Sequence, residues 1–222
     1  MSRPSHTVEN YLKCIFSLGQ GKDERIPTNA IAEKLGTTAA SVTDMIKKLS
    51  ANGYVHYERY HGVTLTRTGR QIAVALIRRH RLWETFLVDK LGFQWDEVHD
   101  LAEELEHINN DLLSERLDAF LGNPTVDPHG DPIPDKDGNI QYHEDVSLDQ
   151  LEAGQQGIIV GVTDHSTDFL QYLEKNGLVI RAVVKVMQVE AYDQSKRLEL
   201  DKGKQLNVSH KVAANLLVRK MR

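Results

Sequence analysis

The sequence predicts a mainly α-helical protein with a small β domain towards its C-terminal end, and three observations predict it. Residues 28–69 follow the order helix, glycine turn, helix, hairpin. Residues 76–121 give two helical patterns broken at Gly92. From about Leu148 the pattern turns to short β-rich runs. Between the second and third parts, GNPTVDPHGDPIPDKDGN (122–139) holds four of the six prolines and three glycines, which predicts a loop or linker with no core of its own.

Each element has its own warrant. Thr28 is placed to cap a helix running through Ile31, Ala32 and Leu35, which Gly36 ends. Ala39–Ala51 carries Val42, Met45, Ile46 and Leu49 at helical spacing and stops before Gly53. Helix, tight turn, helix is the helix-turn-helix order, whose second helix enters the major groove of DNA. The following YVHYERYHGVTLTRTG (54–69) alternates around His61-Gly62 as a hairpin does, which would complete a winged helix. Thr38, Ser41, Thr43, Asp44 and Lys47 are then the candidate groove-facing residues. Arg59, with Arg67 and Arg70, is placed to meet phosphates. The same motif also serves as a plain interaction module, so it does not decide function alone. In the middle part, Trp83, Phe86 and Leu87 are apolar in the first helical pattern, and Leu101, Leu105, Ile108 and Leu112 form a stripe on the second. In the last part GIIVGV (157–162), VVKVMQVEAY (183–192) and KRLEL (196–200) are strands, Asp201–Gly203 is a turn, and TDFLQYLEKNG (167–177) is helical. That order suits a small barrel.

Composition narrows the class. The 222 residues fit one large or two small domains. No apolar run approaches the ~18 residues of a membrane span, and MSRPSHTVEN has no apolar signal core. Cys14 is the single cysteine, which excludes an intramolecular disulfide and makes a cytoplasmic location the expectation. The net charge of −5 hides an asymmetry: residues 1–75 carry +4, residues 76–145 carry −11 and residues 146–222 carry +2. A basic head on an acidic middle suits DNA contact combined with cation binding.

The acidic middle contains the chemistry. His80 and Glu84 stand four apart, and His99, Glu103, Glu106 and His107 follow at offsets of four, seven and eight. On helices each set shares a face. Three imidazoles and three carboxylates without a thiolate suit a divalent transition metal. An isolated helix with this many acids is more often a solvated face; clustering with histidine is what favours a cation.

LGTTAASVTDMIKKL, GYVHYERYHGVTLTRTGR, RRHRLWETFL, VHDLAEELEH and HGDPIP, in that order, resemble the diphtheria-toxin-repressor and manganese-transport-regulator family along nearly the whole chain. The resemblance implies a homodimer with a winged-helix domain (1–75), a helical metal-binding and dimerisation domain (76–121), a proline-rich linker (122–147) and an SH3-like domain (148–222). It implies a repressor of metal uptake and homeostasis genes, with Mn(II) or Fe(II) as co-repressor and a palindromic double-stranded operator as partner.

Site residues carry over one by one. Glu106 and His107 match the family's primary-site pair. Glu103 matches a position held by cysteine in iron-type members and glutamate in manganese-type ones, which favours Mn(II). Asn10 stands where the first helix normally offers Asp or Met, and Lys13 where two-domain manganese regulators have Glu. For the ancillary site His80, Glu84 and His99 match directly, and DHSTDF places His165 and Asp168 at the SH3-domain ligand positions. Asp127 and His129 fall where some manganese-responsive members have loop ligands.

Two other classes fit the sequence less well. Glu104–His107 has the Glu-x-x-His spacing of a di-metal carboxylate oxidoreductase, but no second such pair occurs; Asp96–His99 is the nearest. No zinc-hydrolase motif, phosphate loop or Gly-x-Ser-x-Gly is present, so no enzyme is expected. A winged-helix regulator sensing a non-metal ligand would leave the His/Glu alignment unexplained.

Overall fold

The computed structural model describes residues 4–22 and 24–221. The chain divides into two compact units: Met1–His80 with Leu105–Glu115 and Pro134–Asn139, and Arg81–Glu104 with Arg116–Ile133 and Ile140–Arg222.

In the first unit, α1 (His6–Leu18), α2 (Thr28–Lys34) and α3 (Ala39–Ala51) bury Leu12, Ile15, Phe16, Ile31, Val42, Ile46 and Leu49. The span of α3 is the one expected. Thr38 is its N-cap, with its hydroxyl accepting from the Ser41 amide at 3.2 Å. The reading of Thr28 as a cap is corrected: Thr28 is the first helical residue and the cap position is Pro27, whose side chain cannot cap. Strands β1 (Val55–Glu58) and β2 (Gly62–Leu65) pair antiparallel with Glu58 opposite Gly62, and Ile26 adds an antiparallel bridge to Val63. This completes a winged helix.

Helix α4 (Arg67–Leu91) starts nine residues earlier than the periodicity of the middle segment suggested. Thr66 starts it, because its hydroxyl accepts the Gly69 amide at 3.1 Å. The second expected helix is two: α5 (Val98–Leu105) and α6 (Asp111–Phe120). Glu106 and His107 therefore lie in the turn after α5, not on its face. The expected stripe is largely uncovered in the protomer: Leu101, Ile108 and Leu112 are 37%, 44% and 56% exposed.

In the second unit an antiparallel sheet runs in the order β3-β8-β4-β5-β6-β7, with β3 (Val146–Ser147), β4 (Gln156–Val162), β5 (Val183–Val189), β6 (Lys196–Leu200), β7 (Gln205–Val208) and β8 (Leu216–Lys220). Helix α7 (Thr167–Asn176) ends at Gly177 in the left-handed conformation, and α8 (His210–Ala214) precedes β8. Alternate residues of β4, β6 and β8 fill a core with Leu148, Leu170, Leu173 and Trp95.

The stretch 122–139 has no helix or strand, as expected, yet it is not a bare linker. Ile133 packs with Leu82 and Leu117, and Asp127 and His129 are buried. Gly130 permits this, with φ +90°; a Cβ there would lie 2.0 Å from the Val160 carbonyl oxygen of β4. Beside it, the His129 carbonyl accepts the Val162 amide at 3.0 Å. Replacing Gly130 with Ala is expected to destabilise the protein by at least ~2 kcal/mol, because the backbone must shift and the residue is left in a strained conformation. Urea unfolding followed by circular dichroism checks this.

Candidate metal centre and nucleic-acid surface

The first unit holds a cluster of opposed charges. On α1, Glu9 shares a face with Leu12 and Phe16, so its carboxylate is carried inward and is 3% exposed. Its Oε2 lies 2.7 Å from His107 Nδ1, and its Oε1 accepts from Arg79 Nη2 at 3.4 Å. Arg79 Nε donates to the Glu106 carbonyl at 2.6 Å, which ties α4 to the turn after α5. The Glu106 carboxylate is buried too. Its Oε2 accepts from Lys13 Nζ at 2.6 Å and lies 2.6 Å from His80 Nδ1. Its Oε1 is 3.9 Å from His107 Nε2. Burial pushes this carboxyl group's pKa up, but the His80 hydrogen bond and the Lys13 charge outweigh it and hold the pKa below its ordinary value. His6 stacks on His107 with centroids 4.1 Å apart.

The position expected for Asn10 is corrected here. Asn10 is exposed, and Glu9, one residue earlier, meets His107 and Arg79. The reason is helix phase: the 100° between neighbours turns Asn10 away when Leu12 and Phe16 face the core. The missed signal was an acid in register with the apolar face of an amphipathic helix. Arg79 was missed as well, since a buried guanidinium has no spacing signature.

The second unit gathers another set. Glu84 on α4, Asp127 and His129 each place a ligand-type atom within 4.8 Å of the others, and all three are buried. Glu84 Oε2 lies 3.6 Å from His129 Nδ1, and Glu84 Oε1 lies 3.4 Å from His99 Nδ1. His129 Nε2 is 2.8 Å from the Trp95 carbonyl. A carbonyl only accepts, so Nε2 carries a proton; Nδ1 faces the Glu84 carboxylate, to which it donates as imidazolium, and it is open to a cation only once that proton leaves. Burial lowers the His129 pKa, but the carboxylates of Glu84 and Asp127 more than offset it, raising it to about 9. Asp127 Oδ1 accepts the amides of His129 and Asp131 at 2.8 and 3.0 Å. Its Oδ2 is buried without a hydrogen-bond donor among the described residues, the nearest cation being Arg81 Nε at 3.7 Å. Burial, then the charges of Asp131 and Glu84, push this acid up to about 8.

His165 belongs to this neighbourhood: its ring stacks on His129 at 4.9 Å, and its Nε2 is 3.9 Å from Asp131 Oδ2. Burial lowers its pKa, which keeps the imidazole neutral. Asp168 does not join them. It is exposed in the first turn of α7, where its side chain is directed to solvent. Glu103 is also half exposed and lies 3.7 Å from His99, one turn back on α5. His80, one turn before Glu84 on α4, meets Glu106 and Lys13.

The Glu84, Asp127 and His129 set has the geometry for a divalent cation, whereas Glu9 and Glu106 face opposite nitrogens of His107. Both sets combine carboxylate oxygen with imidazole nitrogen, and in the second unit a buried carboxylate oxygen lacks a donor, which a cation or a proton must offset. Cys14 is not part of either set; burial raises its thiol to about 11.

On the winged helix, Ser41, Asp44 and Lys47 are exposed on α3 opposite the buried Val42, Ile46 and Leu49. Thr38 is exposed at the cap, Thr43 is half-buried with its hydroxyl donating to the Ala39 carbonyl, and Lys47 pairs with Asp44 at 3.3 Å. Arg59 is exposed on the wing, with its guanidinium over the Tyr60 ring.

A winged helix, buried carboxylate–imidazole clusters and a small β domain together define a metal-responsive DNA-binding protein. The family model described as "Iron dependent repressor, N-terminal DNA binding domain" matches residues 5–63. Its metal-binding and dimerisation counterpart matches 66–135, and the FeoA domain matches 146–220. The chain belongs to the iron-dependent repressor family, which includes the diphtheria toxin repressors. It is 32% identical over 194 residues to the iron-dependent repressor IdeR of Mycobacterium leprae, covering 81% of this chain and 83% of that one. Its fold resembles a manganese-dependent transcriptional repressor in complex with manganese, with TM-score 0.87 and 35% identity over 96% of this chain and all of that one. It also resembles ScaR with bound Zn2+, with TM-score 0.77 and 33% identity over 98% of this chain and all of that one. The fold class expected from the sequence therefore holds: DNA-binding domain, helical dimerisation domain and C-terminal β domain.

Because Glu9, not Asn10, faces the cluster, Glu9→Gln is expected to weaken Mn(II) binding at least tenfold, while Asn10→Ala leaves it within about twofold. Equilibrium titration of metal-free protein checks the pair.

Proposed function

We propose that this chain is a DNA-binding transcriptional repressor for which Mn(II) or Fe(II) is the co-repressor, acting through the contact of Glu9 with His107. The observation that carries the reading is that this contact joins the first helix of the winged-helix unit to the turn after α5. The absence of thiolate from both donor sets favours Mn(II), with Fe(II) next to it in the affinity series.

Glu9, Glu106 and His107 would hold the metal in the first unit, and Glu84, Asp127 and His129, with His99 and His165 alongside, in the second. When bound, the metal would supply positive charge and fixed directions of coordination to the carboxylates and imidazoles of each set. Glu9 then holds α1 against Glu106 and His107, and the winged helix is fixed relative to the turn that leads into Ile108 and Leu112. Those exposed apolar residues are the proposed part of the homodimer seam, so two winged helices are set at one separation. A palindromic operator, control of metal-uptake genes, a cytoplasmic location and the division of roles at residues 75, 121 and 147 belong to the same proposal. Among the described residues no helix is long and apolar enough to cross a membrane.

On DNA, Thr38, Ser41, Asp44 and Lys47 would face the major groove and Arg59 the backbone. An exposed carboxylate at Asp44 is suited to accept from a cytosine amino group and cannot hold a phosphate.

Two outcomes test this. Glu106→Gln and His107→Ala should each lower Mn(II)-dependent operator affinity at least a hundredfold in fluorescence anisotropy, with circular dichroism and dimer mass unchanged; full metal dependence in either would sink the site assignment. Asp44→Asn should change base preference at one operator position by about tenfold in a selection experiment, whereas a uniform loss across all sequences would remove Asp44 from the groove.

A further inference from the structure

We infer that Lys13 is a tethered cation that occupies the Glu106 carboxylate in the metal-free protein and must leave it for the metal to bind. The inference rests on the reading of Glu9, Glu106 and His107 as metal ligands, and it adds a residue that sets how tightly that site responds.

Charge balance in the cluster requires it. Glu9 and Glu106 bring two negative charges into a buried cluster, at 3% and 1% side-chain exposure. Arg79 and Lys13 bring two positive charges against them. The four groups are therefore neutral together before any metal arrives. A divalent ion added with both cations in place would leave two uncompensated positive charges among buried groups, which is strongly unfavourable. One resident cation has to move.

Arg79 is the wrong candidate. It is 6% exposed, its Nε is tied to the Glu106 backbone carbonyl at 2.6 Å, and a guanidinium stays charged in proteins. Lys13 is the right one. Its side chain is 18% exposed, it meets the cluster through side-chain atoms (Glu106 Oε2 at 2.6 Å and His80 Nδ1 at 3.3 Å), and its ammonium rides on a flexible four-carbon stem. By swinging outward the ammonium regains water and frees the carboxylate oxygen for a metal.

Two consequences follow. Lys13 lowers the metal affinity of this site, because every binding event breaks a partly buried ion pair. Lys13 also keeps α1 docked on the turn after α5 without metal, so binding exchanges one cross-link for another.

The test measures Mn(II) binding to the full chain by the electron paramagnetic resonance signal of free Mn(II). The site read is the one that Glu106→Gln removes. Lys13→Gln is expected to tighten that site roughly tenfold or more, since a cation within about 4 Å no longer competes. Lys13→Arg, which keeps the charge, should return affinity to the wild-type value or below it, a result that loss of packing alone does not give. In thermal unfolding, Lys13→Gln should lower the metal-free melting temperature and enlarge the rise produced by Mn(II). If Lys13→Gln binds Mn(II) at that site no tighter than wild type, the inference is overturned while the metal-site reading stands. If Glu106→Gln removes no Mn(II) site from wild type, that reading fails and the inference goes with it.

Discussion

Two carboxylates that cannot be left alone inside protein determine how the first unit is built. Burying Glu9 and Glu106 costs several kcal/mol per uncompensated charge, and each is matched by a basic group from another element: Glu9 by Arg79 and His107, Glu106 by Lys13 and His80. These contacts tie α1, α4 and the turn after α5 to one another. The break in the helix at Leu105 serves the same constraint. A continuous helix would put Glu103, Glu106 and His107 on one stripe, whereas the turn lets Glu106 and His107 present to α1 and α4 while Glu103 remains with His99.

The second unit meets a similar need by different means. Asp127 is held by hydrogen bonds from backbone amides, and Arg81 is at ion-pair distance from Asp127 and Asp131. Asp127 spends one oxygen on two backbone amides and leaves the other without a donor among the described residues, while the Trp95 carbonyl orients the His129 ring. His165 is kept neutral by burial. A carboxylate oxygen lacking a donor and an oriented imidazole form a more prepared cation site than a cluster whose charges already cancel.

Periodic features were legible in the sequence, and phase-dependent ones were not. The limits of α3 and its Thr38 cap could be read because the apolar spacing, the cap and the glycine stop agree. The strands β4 and β6 were readable from alternation, but β7 and β8 were not, being short runs whose pairing depends on distant partners. In the site, Glu106, His107, Glu84 and His99 stood out as residue types in a pattern, and the family resemblance singled out Asp127 and His129. Glu9 was hidden by its neighbour. A shift of one residue is 100° on a helix, and motif matching alone could not say which of two adjacent polar groups faces inward. Asp168 is the converse case, a residue of the right type placed on the exposed first turn of α7. Buried Arg79 has no sequence signature; only tertiary structure shows that the Glu9 carboxylate opposite requires it.

The layout also explains how occupancy of so small a site can be felt at DNA. The compact first unit contains the recognition helix, the cluster and the exposed apolar residues Ile108, Leu112 and Leu113. A change at Glu106 therefore needs no long route; it acts on the piece of structure that carries both the reading head and part of the proposed seam. Coupling of this kind is commonly ~1–3 kcal/mol and is reciprocal, so operator DNA must tighten metal binding by the same factor that metal tightens DNA binding. With Lys13 already holding Glu106, the metal-free protein is organised rather than unfolded at this point, and only the difference between an ammonium contact and metal coordination is available to shift the equilibrium. A strong resident cation makes that difference small and the response shallow; a weaker one makes the site bind at metal levels too low to carry information. A lysine at the edge of solvent, displaceable but charged, lies between these limits.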